Sequence, residues 1–565
     1  MRQPGRLAAT KAAADTAATP TPTPTAALSA AGDSLTVAAW TVVSRVTGLV
    51  RIAAIGAVLG PTLLGNTFQF TNALPNLLYY GLLAGSLFSS LLVPALVHHV
   101  DAHDRCASER LAGGFLGVTL IALAVVVPVA LALAPALLGV TAPHGSDAAS
   151  AAEQERLARL LFLMFIPQVF CYAVVGTASA TMNAHRRFGL AAAAPALENI
   201  GIILVLCLTA VVMSADPSRL DQLSMGELLL LGMGTTAAVA AHAALQWWGA
   251  RRAGVVLRPF AGWRNPEVTT VIRRALPSLG QAGLLAAQVL VLLAAANHTP
   301  GGVVGFQMAL SFVYLAIAIG VTPVALTTLP WLARLFVRQE PEMFHDMFVR
   351  SVGLGLFVAV PAAVGCVLLA PLLARFVAVG RMASEAGVSM VTGSLAALAA
   401  AILGQAVFTM CSYAFYAQKD TRSPLLAAGA QVAICGVGTV LAMMFLQGVS
   451  LLIGLGAAYS AGTVAGAVCM WRLLSGRIFT GPQRLMPSIV RTGLAALAMA
   501  GPVWLTAHAV SAASSGRTGA ALAIAAGAAV GITTFMAASA LLQAPELRWL
   551  LESVRRGNRL QSEPA

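Results

Sequence analysis

Charge is what this chain has least of. Only 10% of its 565 residues are Asp, Glu, Lys or Arg, and of the 21 acids only Glu198 lies well inside an apolar run. Aromatics are also sparse, at 6%. A soluble fold needs a hydrated, charged surface, and a mean hydropathy of +0.82 over this length excludes one. The seven cysteines (106, 171, 207, 366, 411, 435 and 469) follow no disulfide or metal-ligand spacing, and most sit in apolar runs as small hydrophobes. There is no G-x-x-x-x-G-K-[ST] phosphate loop, no metal constellation and no soluble stretch long enough for a catalytic domain. Covalent catalysis, a metal centre and a bound cofactor are therefore not expected. No apolar segment follows closely behind Arg2 and Arg6, so a signal peptide is not expected either. Residues 1–32, rich in Ala, Thr and Pro, read as a disordered tail.

What the chain has in abundance is apolar length. Fourteen runs, from 34–59 to 518–543, are each long enough to cross a bilayer, which takes about 20 residues as a helix. The fold class is an all-α polytopic membrane protein. With the N-terminus inside, 26 of the 34 Lys and Arg fall in cytoplasmic segments, six fall on the other side, and Arg45 and Arg51 remain within a span. That alternation supports fourteen spans with both termini cytoplasmic. It also explains the net charge of +13 as a topology signal, so no nucleic-acid partner is expected. A faint parallel repeat aligns TMNAHRRFGLAAAAPALENIG (181–201) with YAQKDTRSPLLAAGAQVAICG (416–436) and sets Arg187 against Arg422. Parallel repeats of this kind occur in two-lobed transporters.

The stretch 44–94 concentrates the unusual chemistry. Arg45 and Arg51 are six apart, about 120° around a helix. Arginine within an apolar span usually faces protein or a water-filled cavity. Gly60-Pro61, Pro75 and Pro94 interrupt the run that follows. Two cations before a broken helix point to a polar cavity. Asn72, Asn76, Tyr79, Tyr80 and Gln307 are candidates to line it. Glu198, counted to similar depth as Arg45, is a candidate ion-pair partner or coupling site. Arg186, Arg187, Lys419 and Arg422 fall at the cytoplasmic mouth, where they would meet anionic lipid headgroups.

These motifs resemble the MviN/MurJ family, the lipid II flippases of the multidrug/oligosaccharidyl-lipid/polysaccharide exporter superfamily. SRVTGLVR (44–51) is similar to the family's first-helix arginine motif. LPNLL (74–78), AGSLFSSLLVP (84–94), GVTPVALTTLPWLAR (320–334) and YAQKDTRSP (416–424) continue the match through both halves. The resemblance implies two six-helix lobes forming a V-shaped central cavity (33–250 and 251–486), two further helices in 487–545, and a cytoplasmic tail at 546–565. It implies a bacterial plasma-membrane transporter, not an enzyme, that moves an undecaprenyl-diphosphate-linked peptidoglycan precursor outward by alternating access. Cell-wall synthesis or division proteins would be its protein partners. Arg45 and Arg51 would meet the diphosphate.

The chain departs from the family pattern in charge. Ile52 and Asn66 stand where acids are usual, Tyr79-Tyr80 replaces a basic pair, Ala84 replaces a glutamate, and Leu310 falls near an expected basic residue. Two other functions are compatible with the same fold: export of small amphipathic cations, which would want an acidic cavity, and a non-transporting cell-wall scaffold.

Overall fold

The computed structural model describes residues 24–79, 92–140, 148–213, 216–478, 485–514 and 516–549, and within them every regular element is helical. Thirteen helices are long and apolar enough to cross a membrane. The second expected span, 63–97, begins as α2 (Leu63–Tyr79) and ends as α3 (Val93–Asp101), with its middle outside the described residues. α1 (Pro24–Leu59), α2, α3, α4 (Arg105–Val140), α5 (Ala148–Ala184), α6 (Phe188–Val212) and α7 (Met225–Arg252) build a first lobe. α8 (Pro266–Ala296), α9 (Gly302–Ala316), α10 (Thr322–Val337), α11 (Pro341–Val377), α12 (Glu385–Ala417), α13 (Arg422–Phe445) and α14 (Gly448–Ile478) build a second. α9 and α10 are one span interrupted by a π-turn at Ile317–Val321. α15 (Met486–Ala513) and α16 (Gly516–Leu541) pack together against α11, where the tilted rings of Phe357 and Phe535 meet with centroids 4.9 Å apart.

Local chemistry fixes the helix ends. Ser224 and Glu227 form a reciprocal capping box at the start of α7, and Asn265 and Ser384 cap α8 and α12. At the arginine-rich face six helices end alike. His103, Arg186, Gly254, Gln339, Lys419 and Gln543 are left-handed, each donates its N–H to the carbonyl three residues back, and the next residue donates to the one five back. This satisfies carbonyls that would otherwise be unpaired at a helix end. Basic residues there also suit the negative end of the helix dipole.

The two lobes repeat one packing scheme. α1 on α6, α2 on α5, α4 on α5, α5 on α7 and α6 on α7 recur as α8 on α13, α9 on α12, α11 on α12, α12 on α14 and α13 on α14. The internal repeat is therefore structural, but its register differs from the sequence alignment by two residues. The shared turn sets Arg186 against Lys419, instead of Arg187 against Arg422, and so sets Glu198 against Gln431. Hydrogen-bonded turn geometry, not side-chain identity, fixes the correspondence.

The lobes close on each other at the face opposite the arginine-rich one. Gly301 (φ +76°) lies so near the first lobe that a Cβ would sit 2.3 Å from Pro61 Cα, and a Cβ on Gly380 would sit 2.6 Å from the Ala57 carbonyl oxygen. Towards the arginine-rich face the second lobe leaves α1, while the start of α8 stays against α3 and α4, where His99 Nε2 lies 3.0 Å from Glu267 Oε2. Ile52–Leu59 of α1 is largely buried, whereas much of Ala39–Val50 is exposed. Gly301→Ala is expected to strain the backbone by about 1–2 kcal/mol and to push Pro61 away. Labelling of Thr299→Cys from the closed face should then rise several-fold. Gly516→Ala, equally left-handed (φ +78°) but with nothing within 4 Å, should leave that labelling unchanged.

Candidate functional site

Helical geometry sorts the two arginines of α1 onto different faces. Positions 45, 49, 52, 56 and 59 form one stripe. Its far end presses on the second lobe, where a Cβ on Gly56 would meet the Met308 methyl at 2.3 Å and Met382 Cβ at 3.2 Å. Arg45 is eleven residues earlier on this stripe, about 16 Å along the axis, where the lobes have separated, and it is exposed. It therefore lies on the face of α1 that borders the space between the lobes.

Ser44, Thr47, Gly48 and Arg51 form the other stripe and face α6. The Asn199 amide donates to the Ser44 carbonyl (3.2 Å) and to Thr47 Oγ1 (3.1 Å). One turn on, Arg51 Nη1 lies 3.6 Å from Glu198 Oε1. Tyr172 of α5 donates its hydroxyl to the same oxygen at 2.9 Å. Glu198 Oε2 is 2.7 Å from His242 Nδ1 of α7, and His242 Nε2 is 3.4 Å from the Gln246 amide nitrogen. Glu198 and His242 are buried, and Arg51 is the most open member, with its side chain 19% exposed. Depth counting places Glu198 beside Arg45, but the structure pairs it with Arg51. The long side chain leaves its helix tilted towards the N-terminus, so a residue further along reaches back to the acid.

Where the lobes meet, neutral amides do the joining. Asn66 of α2 accepts from the Val303 N–H (3.0 Å) at the start of α9 and donates to the Thr299 carbonyl (2.8 Å). Gln69 bonds Gln307, and Gln154 donates to Asn297 Oδ1 at 3.4 Å. Gln307 therefore belongs to this closure. An ion pair sits on the rim, where Arg381 Nη1 is 3.0 Å from Asp216 Oδ1. The Ser218 amide, with Arg381, holds the Asp216 carboxyl below the usual carboxylate range. A lowered value means that the link is intact above the ordinary range and is lost as pH falls through the lowered one.

Arg186, Arg187, Lys419 and Arg422 are all exposed, and occupy equivalent turns of the two lobes. The side chains of Asn76, Tyr79 and Tyr80 lie outside the described residues. All seven cysteines are free, and no group of three or more metal-ligating side chains occurs among the described residues. Sequence reading missed His242 and Tyr172. Their only signal was a polar residue in an apolar run. It flagged Asn66 solely as a departure from an acid. Arg51→Ala removes a counter-charge from a buried carboxylate and is expected to destabilise by about 1.5–3 kcal/mol, whereas Arg45→Ala should leave thermal stability in detergent unchanged.

The sequence profile of the lipid II flippase MurJ family matches residues 55–525. A probable lipid II flippase MurJ of Haemophilus influenzae is 26% identical over 493 residues, covering 82% of this chain and 90% of the relative. One of Rhizobium meliloti is 27% identical over 410 residues, covering 71% and 72%. Among solved structures, a lipid II flippase MurJ in an inward closed conformation superposes with a TM-score of 0.69 at 15% identity, covering 89% of this chain and 98% of that one. An inward-facing multidrug resistance transporter of the MATE family gives a TM-score of 0.55 at 15% identity, covering 77% and 94%. The two lobes and their shared packing thus have one setting: the chain is a multi-pass membrane protein that belongs to the lipid II flippase MurJ family.

Proposed function

We propose that this chain is a flippase for lipid II, carrying its diphosphate-linked headgroup between the lobes while the undecaprenyl tail stays in lipid. The observation that carries this reading is the position of Arg45, an exposed guanidinium on the lobe-facing stripe of α1, below the contact at Gly56. Guanidinium binds phosphate oxygens with two parallel N–H donors, and at membrane depth it is most stable against an anion or water. Asn76, Tyr79 and Tyr80, whose side chains lie outside the described residues, are further candidates for contacts to phosphate or sugar oxygens. Arg51, turned to Glu198, is a second cation in reserve. The family departures leave Arg45 with a large share of the anion binding. An exporter of small cations would want an acid on the lobe-facing stripe, and α1 presents an arginine there.

The arginine-rich face is the cytoplasmic one in this reading, with both termini inside. Arg252 over Trp248 and Arg334 over Trp331 are suited to anchoring helix ends at that interface. Arg186, Arg187, Lys419 and Arg422 would gather anionic headgroups at the mouth of the space. Association with cell-wall synthesis or division proteins belongs to the same reading. The gap parted at the arginine-rich face and closed at the other corresponds to the loading half of an alternating-access cycle.

The test is complementation of a strain depleted of its own lipid II flippase, combined with headgroup accessibility in reconstituted vesicles. The wild-type chain should restore growth. Arg45→Ala should lower flipping by about 10- to 100-fold, the equivalent of one charge-assisted contact. Arg45→Lys should keep part of the activity, because a point charge remains but the fork is lost. Full flipping by a stable Arg45→Ala protein would sink the anion-site assignment. Impermeant labelling of cysteines placed at 254–262 from outside the cell would overturn the orientation.

A further inference from the structure

The first lobe contains a titratable group with no place in anion binding: His242, 3% exposed, on Glu198 and away from the inter-lobe surface. The groups that face the acid come from three helices. Arg51 comes from α1, Tyr172 from α5, His242 with Gln246 behind it from α7, and the thiol of Cys171 on α5 lies within electrostatic reach. With a neutral imidazole the acid has one full counter-charge, Arg51, and that contact is long at 3.6 Å. Arg51 Nε has no hydrogen-bond partner, so the guanidinium is held loosely. Its stem leans back along α1 towards the level of Arg45, about 9 Å away along the axis.

We propose that Glu198 and His242 form a proton-binding site in which a proton takes the place of Arg51 when that guanidinium turns to an anionic headgroup. This inference rests on the flippase reading above and supplies its partner ion. The electrostatic argument is direct. A buried carboxylate stripped of its cation costs several kcal/mol unless it is neutralised. Taking one proton changes the Glu198–His242 pair from a net charge of −1 to 0 with no other movement of ions. The cluster already has room for that proton. When His242 donates through Nδ1 to Glu198, its Nε2 accepts from the Gln246 amide. When both ring nitrogens carry hydrogen, Nε2 needs an acceptor, and Gln246 Oε1 is buried without a partner. Turning that amide over presents the acceptor in exchange for the 3.3 Å bond its nitrogen donates to the Ala191 carbonyl, so the proton on Nε2 has to outweigh that bond. Linkage makes the coupling reciprocal: an anion on Arg51 favours the proton, and the proton frees Arg51 for an anion.

The second lobe provides a comparison within the same molecule. The position equivalent to Glu198 is Gln431, which donates to Gln288 Oε1 of α8 at 3.0 Å. α8 on α13 is the counterpart of α1 on α6. The same node is therefore built twice, once from neutral amides that cannot titrate and once from an acid, a histidine and an arginine. Among the described residues, no other acid lies midway along a span, so the fold confines this chemistry to the first lobe.

The experiment uses the full chain in detergent with ring-13C-labelled histidine, following nine imidazoles by NMR and identifying His242 by its loss in His242→Gln. Without any substrate, Arg51→Gln imitates a guanidinium drawn away. His242 should then keep its proton to a pH higher by about one unit or more. Arg51→Lys should stay near wild type. Glu198→Gln, which removes the anion, should make His242 lose its proton at lower pH. An imidazole whose titration is the same in Arg51→Gln, Glu198→Gln and wild type overturns the proposal, as does one that stays neutral down to pH 5 in Arg51→Gln. A second arm measures binding of a prenyl diphosphate N-acetylglucosamine diester by calorimetry in two buffers of different ionisation heat. The diester stays a dianion across this range, so proton uptake belongs to the protein. Uptake approaching one proton in wild type and none in Glu198→Gln is the expected result. Binding without uptake overturns the coupling and leaves the flippase reading standing. Absence of binding counts against the flippase reading, while the imidazole titrations still decide the proton site.

Discussion

A guanidinium at membrane depth must find water, an anion or a carboxylate, and α1 meets that demand twice in different ways. The spacing of six residues turns Arg51 into the first lobe and leaves Arg45 on the stripe that faces the second. Much of the remaining architecture follows from this division. α6 supplies Asn199 and Glu198 to the inward stripe, α5 and α7 complete the acid's shell, and the lobe-facing stripe stays apolar apart from Arg45. One helix thus separates a charge held against a carboxylate, Arg51 on Glu198, from one that faces the second lobe, Arg45. The separation needs no additional element, because 3.6 residues per turn already places positions 45 and 51 apart.

The closed face obeys a different constraint. Two lobes that must part and rejoin need contacts that are specific and easily broken. Glycines allow backbone to meet backbone, as at Gly301 over Pro61 and Gly380 over Ala57. Carboxamides then supply direction, since Asn66 both accepts from and donates to the α8–α9 turn. A carboxylate at position 66 could accept from the Val303 N–H, but it would repel the Thr299 carbonyl unless protonated. Asparagine satisfies both groups without a proton. The Asn66 contact thus needs no proton, and at the rim Asp216 and Arg381 meet in solvent and contribute little on their own.

Hydropathy and the placement of Lys and Arg made the class and the succession of spans readable from sequence, because a bilayer imposes a length of about 20 residues and a charge asymmetry on every span, whereas the two-lobed plan came from the family resemblance and the faint repeat. Arg45 was legible for the same reason: a cation in an apolar run has few explanations. The partner of Glu198 was not. Depth along a helix can be counted, but the choice between Arg45 and Arg51 depends on which stripe faces α6, and on the backward lean of an arginine side chain. His242 and Tyr172 were invisible as site residues because they join it through tertiary packing of α5 and α7. Gln307 was chosen for its polarity as a residue to line the cavity, and it is engaged with Gln69 in the closure. No property of either sequence segment encodes that pairing.

The two-residue error in the repeat has the most general cause. Sequence alignment favoured Arg187 with Arg422 because arginines match. The structure aligns Arg186 with Lys419, because each is the left-handed residue that ends a helix and whose successor bonds five residues back. The same turn closes four other helices at that face, so it carries no functional information by itself. Its value is as a ruler. Measured from it, Glu198 and Gln431 fall at the same position in their lobes, a relation hidden by the sequence alignment, which sets Glu198 against Ala433. Duplicated lobes that keep their packing but differ at one buried node have divided a task between them. Here the difference is between an acid with a histidine and a pair of amides. The asymmetry lies in the capacity to hold charge, not in shape, so it is the first lobe that can register whether an anion has arrived.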